Sequence, residues 1–426
     1  MATRSTSSDT QQLAEHFLRH EYAKMVAVIG RFFGAAHINL AEDIVQDALM
    51  EAMTQWNYQG IPNNPTAWLY KVAKNKALNV IQKHGRIERM ANYETGPEPE
   101  VESDLLFTEQ VIADDQVRMM FVCCHPSINA ESQMALILKT LCGLSIGEIA
   151  KAFLTNNETI NKRLVRARKV LQQEAIHFDL PGKTSDLELR LTTVLKTVYL
   201  LFNEGYSASH GNETIRQDLC LEAIRLVNFL VKHRNFSEHT EVHALLSLMY
   251  FNSSRFMERV DNHGNLVELA LQDRSKWDQE LILLGIHHLD QIGKDASPSL
   301  YSIMATISAY HCTAPSFEKT NWAGILALYD GLLKIDPSPI VQLNRVIALA
   351  RAQGIGQAIQ LLEGMSADKK LSTYLPYHLT LAEFYMEDES HELAEKSFLR
   401  ALEHTKMNNE AQHIKARIEA CRKKSN

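Results

Sequence analysis

The stretch LSIGEIAKAFLTNNETINKRLVRARKVL, residues 144–171, has the pattern of two short helices joined by a tight turn. Ser145 and Glu148 have the spacing of a capping box, which predicts that a helix begins directly after Ser145. The sequence LTNN then supplies a turn in which Thr155 or Asn156 can cap the next helix. The two helices are therefore expected to form a hairpin with a short connection.

The second of these helices is amphipathic and basic. Apolar residues at spacings of three and four form one face: Ile160, Leu164, Ala167 and Leu171. Polar and charged residues project elsewhere: Glu158, Asn161, Lys162, Arg166 and Lys169. This pattern favours a helix-turn-helix whose second helix enters the major groove, where cations neutralise phosphates and Asn or Arg bonds to base edges. The alternative is a solvated basic face on a helical hairpin.

Bulk composition limits the other function classes. The 426-residue chain is long enough for two or three domains, and its formal net charge of −7 argues only weakly against a nucleic-acid partner. Its six cysteines form no C-x-x-C pair and no cluster at zinc spacing, which favours reduced thiols and no metal site. No signal peptide or membrane-length apolar run is apparent. We therefore expect a cytoplasmic protein that needs no cofactor and does not contact a membrane.

Helical periodicity extends over almost the whole sequence, so the predicted fold class is all-α. A second basic segment lies between Lys71 and Arg89, in a helix predicted to begin with Asn64 as N-cap and Pro65 as its first residue. Polar residues recur along one face of this helix at Lys71, Asn75, Asn79 and Gln82. Two basic helices suit a two-point grip on nucleic acid better than one.

Three further segments complete the organisation. Asn39 and Glu42 have capping-box spacing and predict the start of the helix NLAEDIVQDALMEAMTQW. Residues 91–116 contain eight acidic residues and no Lys or Arg, which is typical of a linker. Near the C-terminus, Val346 and Ala358 are followed 36 residues later by Ala382 and Ala394, close to the tetratricopeptide period. An irregular helical bundle is the alternative there.

Three blocks together resemble regions 2 and 4 of the extracytoplasmic-function sigma factors of bacterial RNA polymerase: AEDIVQDALMEAMTQW, NNPTAWLYKVAKNKALN and the opening stretch. The sequences around Cys123–His125 and YLLFNEGYSASHG resemble the subgroup with a long C-terminal helical extension. The resemblance implies four segments: region 2 at 10–90, an acidic linker at 91–112, region 4 at 113–178, and an extension at 186–426 with tetratricopeptide-like repeats at about 317–410.

The resemblance also implies roles for individual residues. The residues expected to dock on core polymerase, at its β′ clamp helices, are Asp43, Gln46 and Asp47. The residues expected at the −10 element are Lys71, Lys74, Asn75 and Asn79. The residues expected at the −35 element, where region 4 also meets the β flap, are Thr159, Asn161, Lys162, Arg163 and Arg166. Arg163 departs from the most exposed face of its helix, so phosphate contact suits it better than base contact.

The function implied is promoter-specific transcription initiation by core RNA polymerase, without catalysis by this chain. The resemblance further implies that the acidic linker occupies the basic nucleic-acid path of the polymerase, although a solvated linker fits its composition equally well. The extension is expected to control the activity of the factor and to bind a protein partner or ligand. The alternative is a helix-turn-helix regulator that senses a ligand or partner through its helical tail.

Overall fold

A computed structural model gives the fold. It describes residues 20–92, 107–153, 155–174, 176–206, 216–261, 267–293, 297–368, 371–405 and 408–425. The first ten residues of the predicted region 2 segment and most of the acidic linker, 93–106, lie outside this part of the chain. The remaining predicted segments fall largely within it.

Helices dominate the described residues, which confirms the all-α prediction. The chain divides into two compact units. The first unit contains Met1–Leu201 together with Lys232–Arg234, and the second contains Phe202–Val231 together with Asn235–Asn426. Helix α8, Thr184–Tyr206, therefore contributes residues to both units.

The other helices of the first unit are α1 at 20–33, α2 Ile38–Gln59, α3 Pro65–Asn92, α4 Glu109–Cys123, α5 Ala130–Thr140, α6 Ile146–Ala152 and α7 Asn157–Gln173. Those of the second unit are α9 Gln217–Lys232, α10 Thr240–Ser253, α11 Phe256–Arg259, α12 Gln279–Asp290, α13 Leu300–Thr313, α14 Trp322–Leu332, α15 Pro339–Gln353, α16 Ile355–Gly364, α17 Leu375–Glu387, α18 His391–His404 and α19 Asn408–Ser425. The last residue of α9, Lys232, groups with the first unit.

Local capping explains where three of these helices begin. The hydroxyl of Ser145 accepts a hydrogen bond from the Glu148 amide, and the Glu148 carboxylate accepts one from the Ser145 amide, which confirms the predicted capping box. The Asn156 side chain caps α7 by accepting a hydrogen bond from the Thr159 amide. Asn64 caps α3, whose first residue is Pro65, as predicted. Each cap satisfies amide groups that the first helical turn leaves unpaired.

The predicted start of α2 was wrong. Its N-cap is His37 instead of Asn39, and no side chain caps it. Gly34 adopts a left-handed conformation, φ 77°, and one turn of 3-10 helix at Ala35–His37 leads directly into α2. Glu42 is consequently free of a capping role and pairs with Arg168 on α7, 126 residues away.

Helices α1 and α2 pack against α4, α5 and α7 within the first unit. Two ion pairs join them: Glu42 with Arg168, and Arg31 with Asp115, whose atoms lie 3.5 Å apart. Gly30 on α1 allows a close approach, because a Cβ there would meet the Met119 side chain at 2.8 Å. We call this set of contacts the inter-region interface.

Helix α8 also belongs to the core of the first unit, up to Leu201. The Thr197 hydroxyl donates a hydrogen bond of 2.7 Å to the side-chain oxygen of buried Gln133 on α5. Arg190 donates to the Phe121 carbonyl of α4 and lies over the Phe121 ring. This compact unit therefore continues past residue 178, where the sequence suggested that region 4 ends.

Regular helix pairs form the C-terminal part of the second unit. Helix α17 begins 36 residues after α15, and α18 begins 36 residues after α16. The four residues that suggested this period are all buried in one hydrophobic core: Val346, Ala358, Ala382 and Ala394. In this part of the described chain, two successive helix pairs are thus spaced by 36 residues.

Candidate nucleic-acid interface

Helix α7 presents a sharply divided surface. Its four predicted core residues, Ile160, Leu164, Ala167 and Leu171, are buried. The opposite side exposes Asn161, Lys162, Arg166 and Lys169, while Thr159 is half-buried. Val165 is 62% exposed on the same side, an apolar residue that the sequence analysis did not select. An exposed valine among these polar side chains suits contact with a thymine methyl group.

Two of the predicted −35 cations on α7, Lys162 and Arg163, form ion pairs within the first unit. Lys162 pairs with Glu158 one turn earlier, at 2.7 Å and with both side chains exposed, so the pair is weak and leaves Lys162 available. Arg163 instead pairs with Glu131 on α5 at 2.7 Å and lies over the ring of Phe153. Four of the five predicted −35 residues therefore lie on one accessible face. The fifth, Arg163, contacts a neighbouring helix.

The predicted polar face of α3 is exposed. Its four residues, Lys71, Asn75, Asn79 and Gln82, all reach solvent. Lys74 differs because it is half-buried and lines a small apolar groove together with Ile29 and Phe107. Three of the four predicted −10 residues thus share one open surface, and Lys74 lies beside it.

The aromatic residues near the start of α3 have structural contacts. The Trp68 ring meets that of Trp56 on α2 edge-to-face, with centroids 5.6 Å apart. Tyr70 donates a hydrogen bond of 2.6 Å to Glu21 and stacks on Phe107. Burial, then the bond to Glu21, raises the pKa of Tyr70, so it stays a neutral donor. These contacts fix α3 against its neighbours.

The acidic face of α2 is continuous with an apolar one. Asp43, Gln46 and Asp47 are exposed, as the sequence analysis expected. The next turns of the same helix expose Met50 and Met53, which are 67% and 59% accessible. The sequence analysis missed both, although their spacing from Gln46 already placed them on this side of the helix.

Two carboxylates of the inter-region interface are buried, and the pKa of each is raised. Burial raises the pKa of Glu42, while Arg168 and Lys139 oppose the shift. Burial also raises the pKa of Asp115 to about 6, against the lowering effect of Arg31 and Arg118. One oxygen of each carboxylate has no hydrogen-bond partner among the described residues. Each carboxylate therefore forms an ion pair but lacks a hydrogen bond to one of its oxygens among the described residues.

The described residues lack two other kinds of feature, a metal site and a membrane-spanning helix. No group of three or more His, Cys, Asp or Glu side chains is arranged to hold a metal ion. No helix in this part of the chain combines the length and apolar character needed to cross a membrane.

Two segments of the first unit match known protein families. Residues 17–87 match the family Sigma-70 region 2, and residues 118–171 match Sigma-70, region 4. The ECF RNA polymerase sigma-E factor of Escherichia coli (strain K12) is 23% identical over 156 residues, which cover 35% of this chain and 80% of that protein. The chain belongs to the extracytoplasmic-function sigma factors. This sigma factor serves promoter-specific transcription initiation, with core RNA polymerase and promoter DNA as its partners.

Two other relatives define the extent of the similarity. The ECF RNA polymerase sigma factor SigG of Mycobacterium tuberculosis (strain CDC 1551 / Oshkosh) is 25% identical over 188 residues, 39% of this chain and 47% of that protein. An uncharacterized protein of Rhizobium meliloti (strain 1021) is 35% identical over 351 residues, 80% of each chain. Residues 190–292 of the extension match a family of unknown function, DUF6596. No solved structure shows a significant match.

Proposed function

We propose that this sigma factor docks on core polymerase through the exposed face of α2. The observation behind this is the combination of Asp43, Gln46 and Asp47 with the neighbouring thioethers of Met50 and Met53. Carboxylates suit a basic protein surface, and exposed methionines adapt to an apolar one. The β′ clamp helices are the polymerase element that the family resemblance assigns to this face. The sigma factor itself performs no covalent chemistry in this proposal.

The exposed side of α3 is proposed to act at the −10 element. Lys71 supplies a phosphate contact, while Asn75 and Asn79 offer amide groups to an unpaired base. Tyr58, 87% exposed at the end of α2, adds an aromatic face near the loop that leads into α3. Trp68 is excluded from this role because it packs on Trp56.

The outer side of α7 is proposed to read the −35 element. Asn161 and Arg166 carry the groups that bond to base edges, and Lys162 contacts phosphate. Thr159, at the third position of the helix, offers its hydroxyl to phosphate near the N-terminus of α7. Arg163 supports this surface through Glu131.

Transcription in vitro tests this assignment. Purified core polymerase with the full chain should initiate specifically on members of a genomic promoter pool, and the chain without polymerase should not. Asn75→Ala should reduce formation of the melted complex more than binding of duplex promoter, whereas Arg166→Ala should weaken duplex binding itself. Equal loss at both stages for both variants would contradict the division of roles between α3 and α7.

We also propose that the extension regulates the factor through α8. The support is that α8 supplies Arg190 and Thr197 to the packing of α4 and α5, and that its final residues belong to the second unit. Because α8 is one continuous helix, a conformational change in the extension can reach region 4 through it. Point substitutions in the extension that alter promoter output without altering α4–α7 stability would support regulation. Unchanged output from every folded extension variant under all inducing conditions would exclude it.

A further inference from the structure

Val165 is an apolar residue at the centre of the exposed side of α7. It is 62% exposed, whereas the four apolar residues that hold α7 in the core are buried. One helical turn to either side lie Asn161 and Lys169, and Lys162 lies three positions before the valine; all three are exposed. Residues three and four apart are neighbours on a helix surface, so polar and cationic side chains surround Val165.

Neither core packing nor helix propensity accounts for a valine at this position. Its side chain lies mostly outside the core, and a β-branched residue is a weaker helix former than alanine, lysine or glutamate. Single exposed apolar residues are common on protein surfaces, so exposure by itself assigns no role. The position does assign one, because the exposed centre of a helix in the major groove faces the base edges, while the cations around it reach the phosphates.

The major groove offers one apolar group to such a side chain. Among the four bases, thymine alone presents a methyl group there, at its C5 atom, and cytosine presents an amino donor instead. The two methyl groups of valine neither donate nor accept a hydrogen bond, so they favour contact with the thymine methyl group over a polar base edge. A valine facing the bases therefore selects thymine.

Helix geometry places this contact relative to the proposed contact of Asn161. Four residues of an α-helix rise about 6 Å, and successive bases of B-form DNA are about 3.4 Å apart. When α7 lies along the major groove, Val165 and Asn161 therefore reach positions about two base pairs apart. Asn161 suits adenine, because its amide can bond to the N6 and N7 atoms together.

We propose that Val165 is a specificity-determining residue of this sigma factor and contacts the C5 methyl group of a thymine in the −35 element. The proposal rests on the proposed role of α7 at that element. It assigns one base of the upstream promoter element, a thymine about two base pairs from the base pair that Asn161 reads. Arg166 and Lys162 keep the roles given above.

Removal of single methyl groups from the DNA tests the proposal. The full chain with core polymerase is bound to a promoter recovered from the genomic pool, and each −35 thymine is replaced in turn by deoxyuridine. Deoxyuridine lacks only the C5 methyl group, so base pairing is kept. One replacement should lower affinity about fourfold, the loss expected when one methyl group is no longer buried.

Val165→Ala should abolish this sensitivity to deoxyuridine, while substitutions of other −35 base pairs keep their effects. The variant stays folded, because Val165 is exposed and alanine is the better helix former. Leu189→Ala, at a 67% exposed leucine of α8, is the matched control and should retain the sensitivity. A cytosine–guanine pair at the same position should bind weakly, and 5-methylcytosine should restore part of the affinity for the unsubstituted chain but not for Val165→Ala.

Two results would overturn the proposal. One is an unsubstituted chain whose affinity no deoxyuridine replacement changes, or whose recovered −35 elements contain no thymine. The other is equal sensitivity to deoxyuridine in Val165→Ala and the unsubstituted chain. Failure of the proposed function looks different, because scrambling the whole −35 element would then leave affinity unchanged. Scrambling that lowers affinity, together with deoxyuridine that does not, contradicts only the role of Val165.

Discussion

Arg163 on α7 lies 2.7 Å from Glu131 on α5, so one cation of the recognition helix is engaged inside region 4. The guanidinium also lies over the ring of Phe153, the C-cap residue of α6. Arg166, one turn from Lys162, is exposed and faces solvent. Two arginines three positions apart therefore have different expected roles.

Arg163→Met and Arg166→Met should separate these roles. Arg166→Met should leave the melting temperature unchanged and relax discrimination at one −35 base pair by about 1–3 kcal/mol. Arg163→Met should lower the stability of region 4 by up to about 1 kcal/mol, because Glu131 is largely exposed, and weaken all −35 sequences alike. Binding to a panel of single-base −35 variants, beside thermal melts, measures both. A loss of affinity confined to particular −35 base pairs for Arg163→Met would instead show that Arg163 contacts bases.

Lys71 should account for one phosphate contact in the promoter complex. Lys71→Ala is expected to reduce the slope of log affinity against log salt concentration by about 1, with little change in sequence preference. Lys334→Ala, at an exposed lysine of the second unit, is the control and should leave the slope unchanged. The measurement is a salt titration of the polymerase complex on promoter DNA. An unchanged slope for Lys71→Ala would remove this residue from the DNA contact.

Thr197 should contribute more to the first unit than an exposed threonine on the same helix. Thr197→Val keeps the shape of the side chain but leaves the buried oxygen of Gln133 without this donor, at a cost of about 1–3 kcal/mol. Thr192→Val is the matched control, since Thr192 is exposed and, among the described residues, its hydroxyl bonds to the Glu188 carbonyl of its own helix. Chemical denaturation compares the two. Equal stabilities would mean that α8 does not complete the core of region 4.

Low pH should destabilise the second unit through His288. The Nδ1 atoms of His288 and His243 lie 2.9 Å apart, and the other nitrogen of His243 donates to the Ser237 carbonyl. Burial, then the neighbouring His243 and His287, lowers the pKa of His288 to about 4. Its stabilising contribution is therefore complete above an unfolded-state pKa of about 6.5 and is lost as pH falls toward 4.

Hydrogen exchange of the α10 and α12 amides, corrected for intrinsic rates, localises this effect. Protection should fall between pH 7 and pH 5 in the unsubstituted chain, and His288→Gln should remove most of that dependence. His287→Gln, at the adjacent exposed residue, should retain it. A local measurement is required because Asp115 in the first unit has a raised pKa, so its contribution changes with the opposite sign as pH falls. Equal pH dependence in both variants would exclude His288 as the cause.

Local sequence signals predicted most helix starts correctly. Contacts between residues far apart in the chain could not be predicted from the sequence. Ser145, Asn156 and Asn64 were identifiable as caps because their partners lie three residues away. Asn39 shows the same local pattern, yet Gly34 and the following turn begin α2 earlier. The partner of Glu42 is 126 residues distant, and no spacing rule connects it to Arg168. The helical period predicted which faces are exposed, but it did not predict that regions 2 and 4 pack against each other.

The constant 36-residue spacing of the helix pairs in the extension indicates how the length of the extension can differ between related proteins. Helices α14 to α19 each contact chiefly the helix before and the helix after. Because α15 and α17 begin 36 residues apart, deleting 339–374 would place the start of α17 directly after Ser338, where α15 now begins. Relatives could therefore gain or lose a whole helix pair by duplication or deletion, and differ in extension length while keeping the sigma module unchanged.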